Sequence, residues 1–288
     1  MYNKNIDDAF TEKNMHAISD INYKNPNKSK TMEEKFNMYY CCGITDTGCV
    51  REHNEDAFMI NRTVMSDNNL ESSLKGPFIV AVADGVAGEA DGDVASKMAL
   101  KMLSDIRPTR RTDFKKKIMD IHRKLRKYGE KHRRSSNMQT TLCALAVDEK
   151  GSHSVINVGD SRLYRMRNGS LKQLSTDQSL VQMLYADGRI SYEERLYHKN
   201  RNIIFPVLGN NSSDPDPQVI PIEPMEHGDL ILICSDGLSD YITKGEFEEI
   251  LSLPLKLPKR LAKLTETAMK NGSPDNITVL AVSQLAEA

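Results

Sequence analysis

The chain has 288 residues, a formal net charge of -1, 39% hydrophobic residues and 27% charged residues. This length allows one large domain or two small ones, and near neutrality argues against a dedicated nucleic-acid binder. The five cysteines include no Cys-x-x-Cys pair, no apolar run is long enough to span a bilayer, and the first thirty residues are too polar for a signal peptide. We therefore predict a cytoplasmic protein with free thiols.

The N-terminal residues differ from the rest of the chain. Residues 1–37 are rich in Asn, Lys, Asp and Ser and have no sustained hydrophobic period, which predicts a flexible tail. A short docking helix over residues 6–18 is the alternative. The folded domain is predicted to cover residues 38–284.

The first part of this domain is predicted to consist of strands and polar loops. Its apolar runs are rich in β-branched and aromatic residues, and strands are expected over 38–44, 57–61 and 78–82. The loop 45–56 carries the adjacent acids Glu55 and Asp56 beside Arg51. Residues 66–76 are polar and are expected to form a loop.

Two amphipathic helices are predicted next, because apolar residues recur at steps of three and four. The first runs over 94–106, and the second begins at Thr112 as its cap and continues past Tyr128. Residues 107–134 contain thirteen Lys or Arg against three Asp or Glu, so the outer face of the second helix is strongly basic. That face is either solvated or a docking surface for an acidic partner.

The second half returns to β-structure around one polar insertion. Asn168-Gly169 is a strong hairpin signal, and residues 177–206 are predicted to form a surface flap with helices over 180–186 and 192–196. Further helices are expected over 244–251 and 258–270. The predicted strands cover 141–147, 154–158, 162–167, 171–174, 229–234 and 277–282.

Four aspartates stand at the ends of predicted strands. Asp84 and Asp236 each follow an apolar run and precede a glycine, while Asp160 and Asp275 lie at other strand boundaries. Gly85 allows close backbone approach or a positive φ. With Glu55 and Asp56, these acids are expected to converge at one edge of a sheet system.

Clustered carboxylates without His or Cys suit the hard cations Mg²⁺ and Mn²⁺, which also relieve the repulsion between them. A pair of such ions activates water for attack on phosphorus. Arg51 offers a planar fork for a phosphate dianion. The combination predicts phosphoester hydrolysis.

These acids, together with other short motifs along the chain, match a known family. The chain resembles the metal-dependent protein phosphatases of type 2C, in their compact bacterial form, over about residues 39–282. The matching motifs are Thr45-Asp46-Thr47-Gly48 with Arg51 and Asn54-Glu55-Asp56, Ala83-Asp84-Gly85, Thr140-Thr141-Leu142, Val158-Gly159-Asp160-Ser161-Arg162, Thr176-Asp177-Gln178-Ser179, Leu208-Gly209, Asp229 with Ser235-Asp236-Gly237, and Asp275-Asn276.

The resemblance implies an α+β fold, a central β-sandwich of two antiparallel sheets flanked by α-helices in α-β-β-α layers, with a small flap subdomain. It implies two Mn²⁺ or Mg²⁺ ions bridged by Asp84, with the Gly85 carbonyl, Asp236 and Asp275 completing the shell. Asp160, with Asp236, would hold a third, weaker ion.

Further roles follow from the same resemblance. Glu55 and Asp56 would bind the metals directly or support the residues that do, and Arg51 would bind the substrate phosphate. The implied activity is hydrolysis of phosphoserine and phosphothreonine in proteins. The predicted partners are a phosphorylated protein substrate and a cognate Ser/Thr kinase, with no nucleic acid and no membrane span, and the chain is predicted to be a monomer.

The sequence departs from the family pattern in three places. Val86-Ala87-Gly88 replaces the Met-Gly-Gly or His-Ala-Gly common after the Asp-Gly, so no histidine there can protonate the leaving group. Gln139 stands where glycine is usual, and Phe205-Pro206-Val207 where Thr-Arg is usual. His198 and His53 could approach the substrate, although a locally bonded or solvent-exposed histidine is the simpler interpretation.

Two alternative functions remain open. A catalytically weak or regulatory protein of the same fold could bind a partner through the basic helix. A different metal-dependent phosphohydrolase could act on small phosphoesters.

Overall fold

The computed structural model describes residues 37–86, 91–132 and 137–285. The predicted tail over 1–37, apart from its last residue, lies outside the described residues, as do its alternative docking helix and the departures at Ala87 and Gly88. The five cysteines are free thiols, as predicted. No described helix is long and apolar enough to cross a membrane.

The strands form two antiparallel sheets of six. The first sheet has the order β4 (Asn69–Lys75), β1 (Met38–Asp46), β12 (Ile277–Gln284), β11 (Leu230–Cys234), β8 (Arg162–Arg167) and β9 (Ser170–Gln173). The second has the order β10 (Gln218–Ile222), β7 (His153–Val158), β6 (Leu142–Val147), β5 (Phe78–Ala83), β2 (Ala57–Ile60) and β3 (Thr63–Met65).

Helices cover the outer faces of both sheets. Against the second sheet lie α1 (Gly92–Ser104) and α2 (Phe114–Lys131), and against the first lie α5 (Asp236–Ser239), α6 (Lys244–Ser252) and α7 (Leu257–Lys270). The segment predicted as a flap contains α3 (Leu180–Ala186) and α4 (Tyr192–Tyr197), as expected.

The buried side chains form three apolar layers, and β5 shows how one strand serves two of them. Successive side chains of a strand point to opposite faces. Phe78, Val80 and Val82 pack between the sheets, whereas Ile79 and Ala81 pack under α1 and α2. A third layer lies between the first sheet and α5 to α7. This arrangement confirms the predicted α-β-β-α sandwich.

The prediction of a loop over 66–76 is wrong, because these residues include the edge strand β4 paired with β1. Its exposure alternates, and Leu70 and Leu74 pack on the core between the sheets. The short strands β3 and β10 were also not predicted. The cap of α2 is Asp113 and not Thr112, since its carboxylate accepts a 3.0 Å hydrogen bond from the Lys116 amide.

Strand register brings the loops of interest to one edge of the sandwich. The end of β1 pairs with the start of β12, and the end of β11 pairs with the start of β8. In the other sheet, the start of β2 pairs with the end of β5. The loops after β1, β5, β7 and β11 and before β12 therefore meet at this edge.

Candidate active site

A cavity of about 300 Å³ opens at this edge. Five residues predicted from sequence line it, namely Arg51, Asp84, Asp160, Asp236 and Asp275. Four of them lie in separate loops and Asp236 is the first residue of α5, so the sandwich brings together side chains far apart in the chain.

Asp84 directly follows the central strand β5, and its backbone is hydrogen-bonded on both sides. Its amide donates to Thr141 Oγ1 at 3.0 Å. Its carbonyl accepts from the Thr141 amide at 2.8 Å and from Thr140 Oγ1 at 2.9 Å. The carboxylate therefore projects from a rigid support.

Gly85 permits a close approach of three backbone segments. A Cβ there would lie 2.5 Å from the carbonyl of Gly92 in α1 and 2.8 Å from the carbonyl oxygen of Glu55. Its φ is not positive, so the requirement is space and not a left-handed conformation. Any side chain at this position would push α1 away from the cavity.

Asn276 ties the loop that carries Arg51 and Glu55 to the start of β12. Its Nδ2 donates to the carbonyl oxygens of Thr47 and His53, both at 2.9 Å, and its Oδ1 accepts from the Glu55 amide at 2.9 Å. The position of Asp275 relative to this loop is fixed by these bonds.

Glu55 and Asp56 do not line the cavity. Asp56 is only 1% exposed and accepts a 2.8 Å hydrogen bond from Ser235 Oγ, next to Asp236. Glu55 directs its carboxylate toward the start of α1, where its Oε1 would lie 3.0 Å from a Cβ at Gly92. Asp56 therefore lies behind the cavity wall, and Glu55 lies beside it.

Each carboxylate of the site disfavours the charged form of its neighbours. Burial, followed by repulsion from neighbouring aspartates, raises the pKa of Asp84 and of Asp236 well above the ordinary value. Burial and repulsion from Asp177 and Asp240 raise the pKa of Asp160 to about 7. Burial raises the pKa of Asp56 to about 6. A bound cation would favour the charged forms of these groups.

The donor chemistry of the cavity fits hard cations. Its lining residues supply carboxylate oxygens and include no histidine or cysteine. Among the described residues, however, no three His, Cys, Asp or Glu side chains are arranged as a finished metal shell. Suitable ligands therefore surround one cavity, but their side chains do not converge on a single ion position.

Arg51 stands at the cavity wall with its side chain 36% exposed. Its Nη2 donates to Asp275 Oδ2 at 2.9 Å. Burial opposes its charge, but the hydrogen bond to Asp275 together with the charges of Asp275, Glu55 and Asp84 raises the pKa of Arg51. The guanidinium is therefore anchored beside the acids with part of its surface accessible.

Arg201, Asp240 and Tyr241 line the same cavity but were not predicted. Arg201 Nη2 donates to the Tyr241 hydroxyl at 3.2 Å, which links the flap to the turn after α5. None of these residues belongs to a matched motif, and the sequence has no local pattern that marks them.

Arg162 fixes the base of the flap near Asp160. Its Nη2 lies 2.8 Å from Asp177 Oδ2 and 2.9 Å from Asp240 Oδ1. One guanidinium thus joins the first residue of the flap to the residue that ends α5.

Among the described residues that depart from the family pattern, Val86 lines the cavity, whereas Gln139 and residues 205–207 do not. Gln139 Oε1 accepts from Asn210 Nδ2 at 2.8 Å. His198 does not line the cavity, and its Nδ1 accepts from the Asn200 amide at 3.1 Å. His53 is exposed. The simpler interpretation of both histidines is therefore the better one.

Fold and cavity together define a class of protein, a helix-covered double-sheet sandwich with an acidic cavity where the two sheets meet. Residues 53–285 match the family Protein phosphatase 2C. The chain is 36% identical over 250 residues to a serine/threonine phosphatase, Stp, of Listeria welshimeri, covering 83% of this chain and 94% of that one. The chain belongs to the protein phosphatase 2C family, which confirms the predicted family.

Solved structures agree with this assignment. The serine/threonine phosphatase Stp1 of Staphylococcus aureus is similar with a TM-score of 0.71 and 28% identity, covering 86% of this chain and 95% of that one. The catalytic domain of the phosphatase PstP in complex with two manganese ions gives a TM-score of 0.69 and 27% identity, covering 86% of this chain and all of that one.

Proposed function

We propose that this protein removes phosphate from phosphoserine and phosphothreonine in proteins, using metal ions held by the acidic cavity. The enzyme class, a protein-serine/threonine phosphatase, is supported by family membership and by the serine/threonine phosphatases among its relatives. The observation that carries the proposal is the cavity itself, which brings Asp84, Asp160, Asp236 and Asp275 together next to Arg51.

The residues have distinct roles in this proposal. Asp84, with the Gly85 carbonyl, Asp236 and Asp275, would hold two Mn²⁺ or Mg²⁺ ions, and Asp160 with Asp236 would hold a third. When bound, the ions would activate a water as nucleophile and neutralise phosphate oxygens. Glu55 would hold one ion from beside the cavity wall.

Asp56 supports the ligands from behind. Its hydrogen bond from Ser235 joins the start of β2 to the residue before Asp236. We therefore assign it to positioning Asp236, which is one of the two roles that the resemblance left open.

The two arginines that line the cavity would bind the phosphoryl group. Arg51 has an exposed guanidinium edge, and its planar donors match two oxygens of a phosphate. Arg201 adds a second guanidinium from the flap. The flap would thus contact the residues around the phosphorylated side chain and orient the ester.

The partners implied are a phosphoprotein and the Ser/Thr kinase that produces it. A monomer is sufficient for this proposal, since the described residues of one chain supply all the groups named. A catalytically weak or regulatory protein is the alternative, and the presence of all four predicted aspartates, Asp84, Asp160, Asp236 and Asp275, argues against it.

The test is hydrolysis of a phosphothreonine peptide after metal removal and addition of Mn²⁺. The wild type should be active only with Mn²⁺, and Asp236→Asn should lower kcat/KM by at least about 100-fold, because it removes a ligand charge. Asp67→Asn, in the exposed turn before β4, is the matched control and should keep full activity. Absence of wild-type activity with Mn²⁺, or full activity in Asp236→Asn, would contradict the proposal.

A further inference from the structure

The exposed surface of α2 and of the turn before it carries a concentration of positive charge that the catalytic site does not use. Residues 110–131 contain ten Lys or Arg against three Asp or Glu, a formal charge of +7 in a chain whose net charge is -1. We call the exposed cations of this segment the basic face: Arg110, Arg111, Lys115, Lys116, Lys117, Arg123, Lys124, Lys127 and Lys131.

Nearby acids compensate only part of this charge. Asp113 caps the helix through the Lys116 amide, and Asp120 pairs with Arg123. Asp216 pairs with Lys115 at 3.5 Å. Within the described part of the chain, Lys117, Lys124 and Lys131 form no ion pair.

These three lysines form a row along the helix. They are seven residues apart, so they lie on nearly the same side and extend over about 21 Å at 1.5 Å per residue. Lys116 and Lys127 flank the row and are also exposed. An extended or helical segment with several negative charges could contact the whole row at once.

The opposite side of α2 is already occupied, which bears on the kind of partner. Its apolar residues, including Ile118 and Leu125, are buried in the core under the second sheet. A membrane-surface helix keeps an apolar face for the lipid, and this helix has none left.

Recognition of single-stranded nucleic acid combines cations with exposed aromatic rings. The aromatic residue at the end of α2, Tyr128, is half-buried and already stacks on His132, with ring centroids 4.1 Å apart. An acidic polypeptide needs only charge complementarity. We propose that the basic face binds an acidic segment of a protein partner.

Charge reversal on the row tests this proposal independently of catalysis. The variant Lys117→Glu, Lys124→Glu, Lys131→Glu changes only exposed side chains. The matched control reverses three exposed lysines of α7, Lys259→Glu, Lys263→Glu, Lys270→Glu, and so makes the same change in net charge. Binding of a fluorescein-labelled oligoglutamate peptide is measured by fluorescence anisotropy, with polyuridine RNA and phosphatidylglycerol vesicles as competing ligands.

The wild type and the α7 variant should bind oligoglutamate equally, and the α2 variant at least about tenfold more weakly, with weaker binding at higher salt. Turnover of a small phosphopeptide should be the same in all three proteins, which verifies folding. Equal binding by both variants, no binding by the wild type, or tighter binding of RNA or vesicles than of oligoglutamate would overturn the proposal.

Discussion

Asp229 shows how one buried carboxylate anchors an element that carries the site. It lies directly before β11, the strand that leads to Asp236, and is 3% exposed. Arg167 donates two hydrogen bonds to its carboxylate, from Nε to Oδ1 at 2.8 Å and from Nη2 to Oδ2 at 2.7 Å. The Glu226 amide donates a third at 2.9 Å. Burial alone would raise the pKa of Asp229, but these donors outweigh it and lower the pKa.

This shift predicts a pH-dependent contribution to stability. A lowered folded-state pKa stabilises the fold above the unfolded value of about 3.9, and the contribution is lost as the pH falls through the folded-state pKa. Asp229→Asn should therefore lower the free energy of unfolding at pH 7 by about 2 kcal/mol, with a smaller loss below about pH 4. Urea unfolding across this pH range is the measurement, with Asp67→Asn as control. A loss of equal size at all pH values would contradict this assignment.

Single residues of the site divide into those with a sequence signal and those without one. Asp84 and Asp236 follow apolar strands and precede glycines that the structure shows to be sterically required. Arg201 and Tyr241 have no such local pattern, and they meet at the cavity only because the flap folds back over α5. The difference between Glu55, beside the cavity, and Asp56, behind it, depends on side-chain direction in a loop, which no spacing rule determines.

At the scale of elements, α2 is connected to the catalytic edge by a chain of hydrogen bonds. His122 is fully buried on its inner side, and its Nδ1 accepts from the Gly209 amide at 3.1 Å. The adjacent residue, Leu208, exchanges two backbone hydrogen bonds with Thr140, at 3.0 and 3.1 Å. Thr140 Oγ1 in turn donates to the Asp84 carbonyl. The loop 207–210 thus links the helix to the support of Asp84.

The state of His122 makes this link sensitive to acid. Burial lowers its pKa, against the opposing effect of Asp214. Since its unfolded-state pKa is about 6.5, lowering the pH through that value protonates the unfolded chain first and destabilises the fold. His122→Ala should lower the free energy of unfolding at pH 7.5 by about 2 kcal/mol and reduce its further decrease toward pH 5.5.

The control for this prediction is His132→Ala, at the exposed end of the same helix. Thermal or urea unfolding at several pH values compares the two variants with the wild type. If His122→Ala keeps the full wild-type decrease between pH 7.5 and pH 5.5, burial of a neutral His122 is not its cause.

Elements with a clear period were predictable, and those whose identity depends on a neighbour were not. The predicted bounds of α3 agree with the structure, and α2 follows its apolar stripe. By contrast, β4 has mostly polar residues and becomes a strand because β1 offers an unpaired edge. The short β10 likewise depends on pairing with β7. Tertiary pairing overrides weak local preference in both cases.

At the scale of the whole molecule, the residues that stabilise the fold and the residues of the candidate active site lie in different parts of the sandwich. The apolar layers lie between and outside the sheets, while the acids are gathered where strands of both sheets end at one edge. The mutual repulsion of these acids is a cost that the surrounding layers offset. We expect cation binding to raise the free energy of unfolding. Cations that bind the folded state and not the unfolded state shift the folding equilibrium toward the folded state.

The central claim is that the aspartate cavity is a metal centre. The most direct measurement is anomalous diffraction at the manganese edge from crystals of the protein soaked in MnCl₂. We predict two manganese ions in the cavity, held by Asp84, Asp236 and Asp275. Anomalous peaks elsewhere, with none bound to these three carboxylates, would contradict the claim.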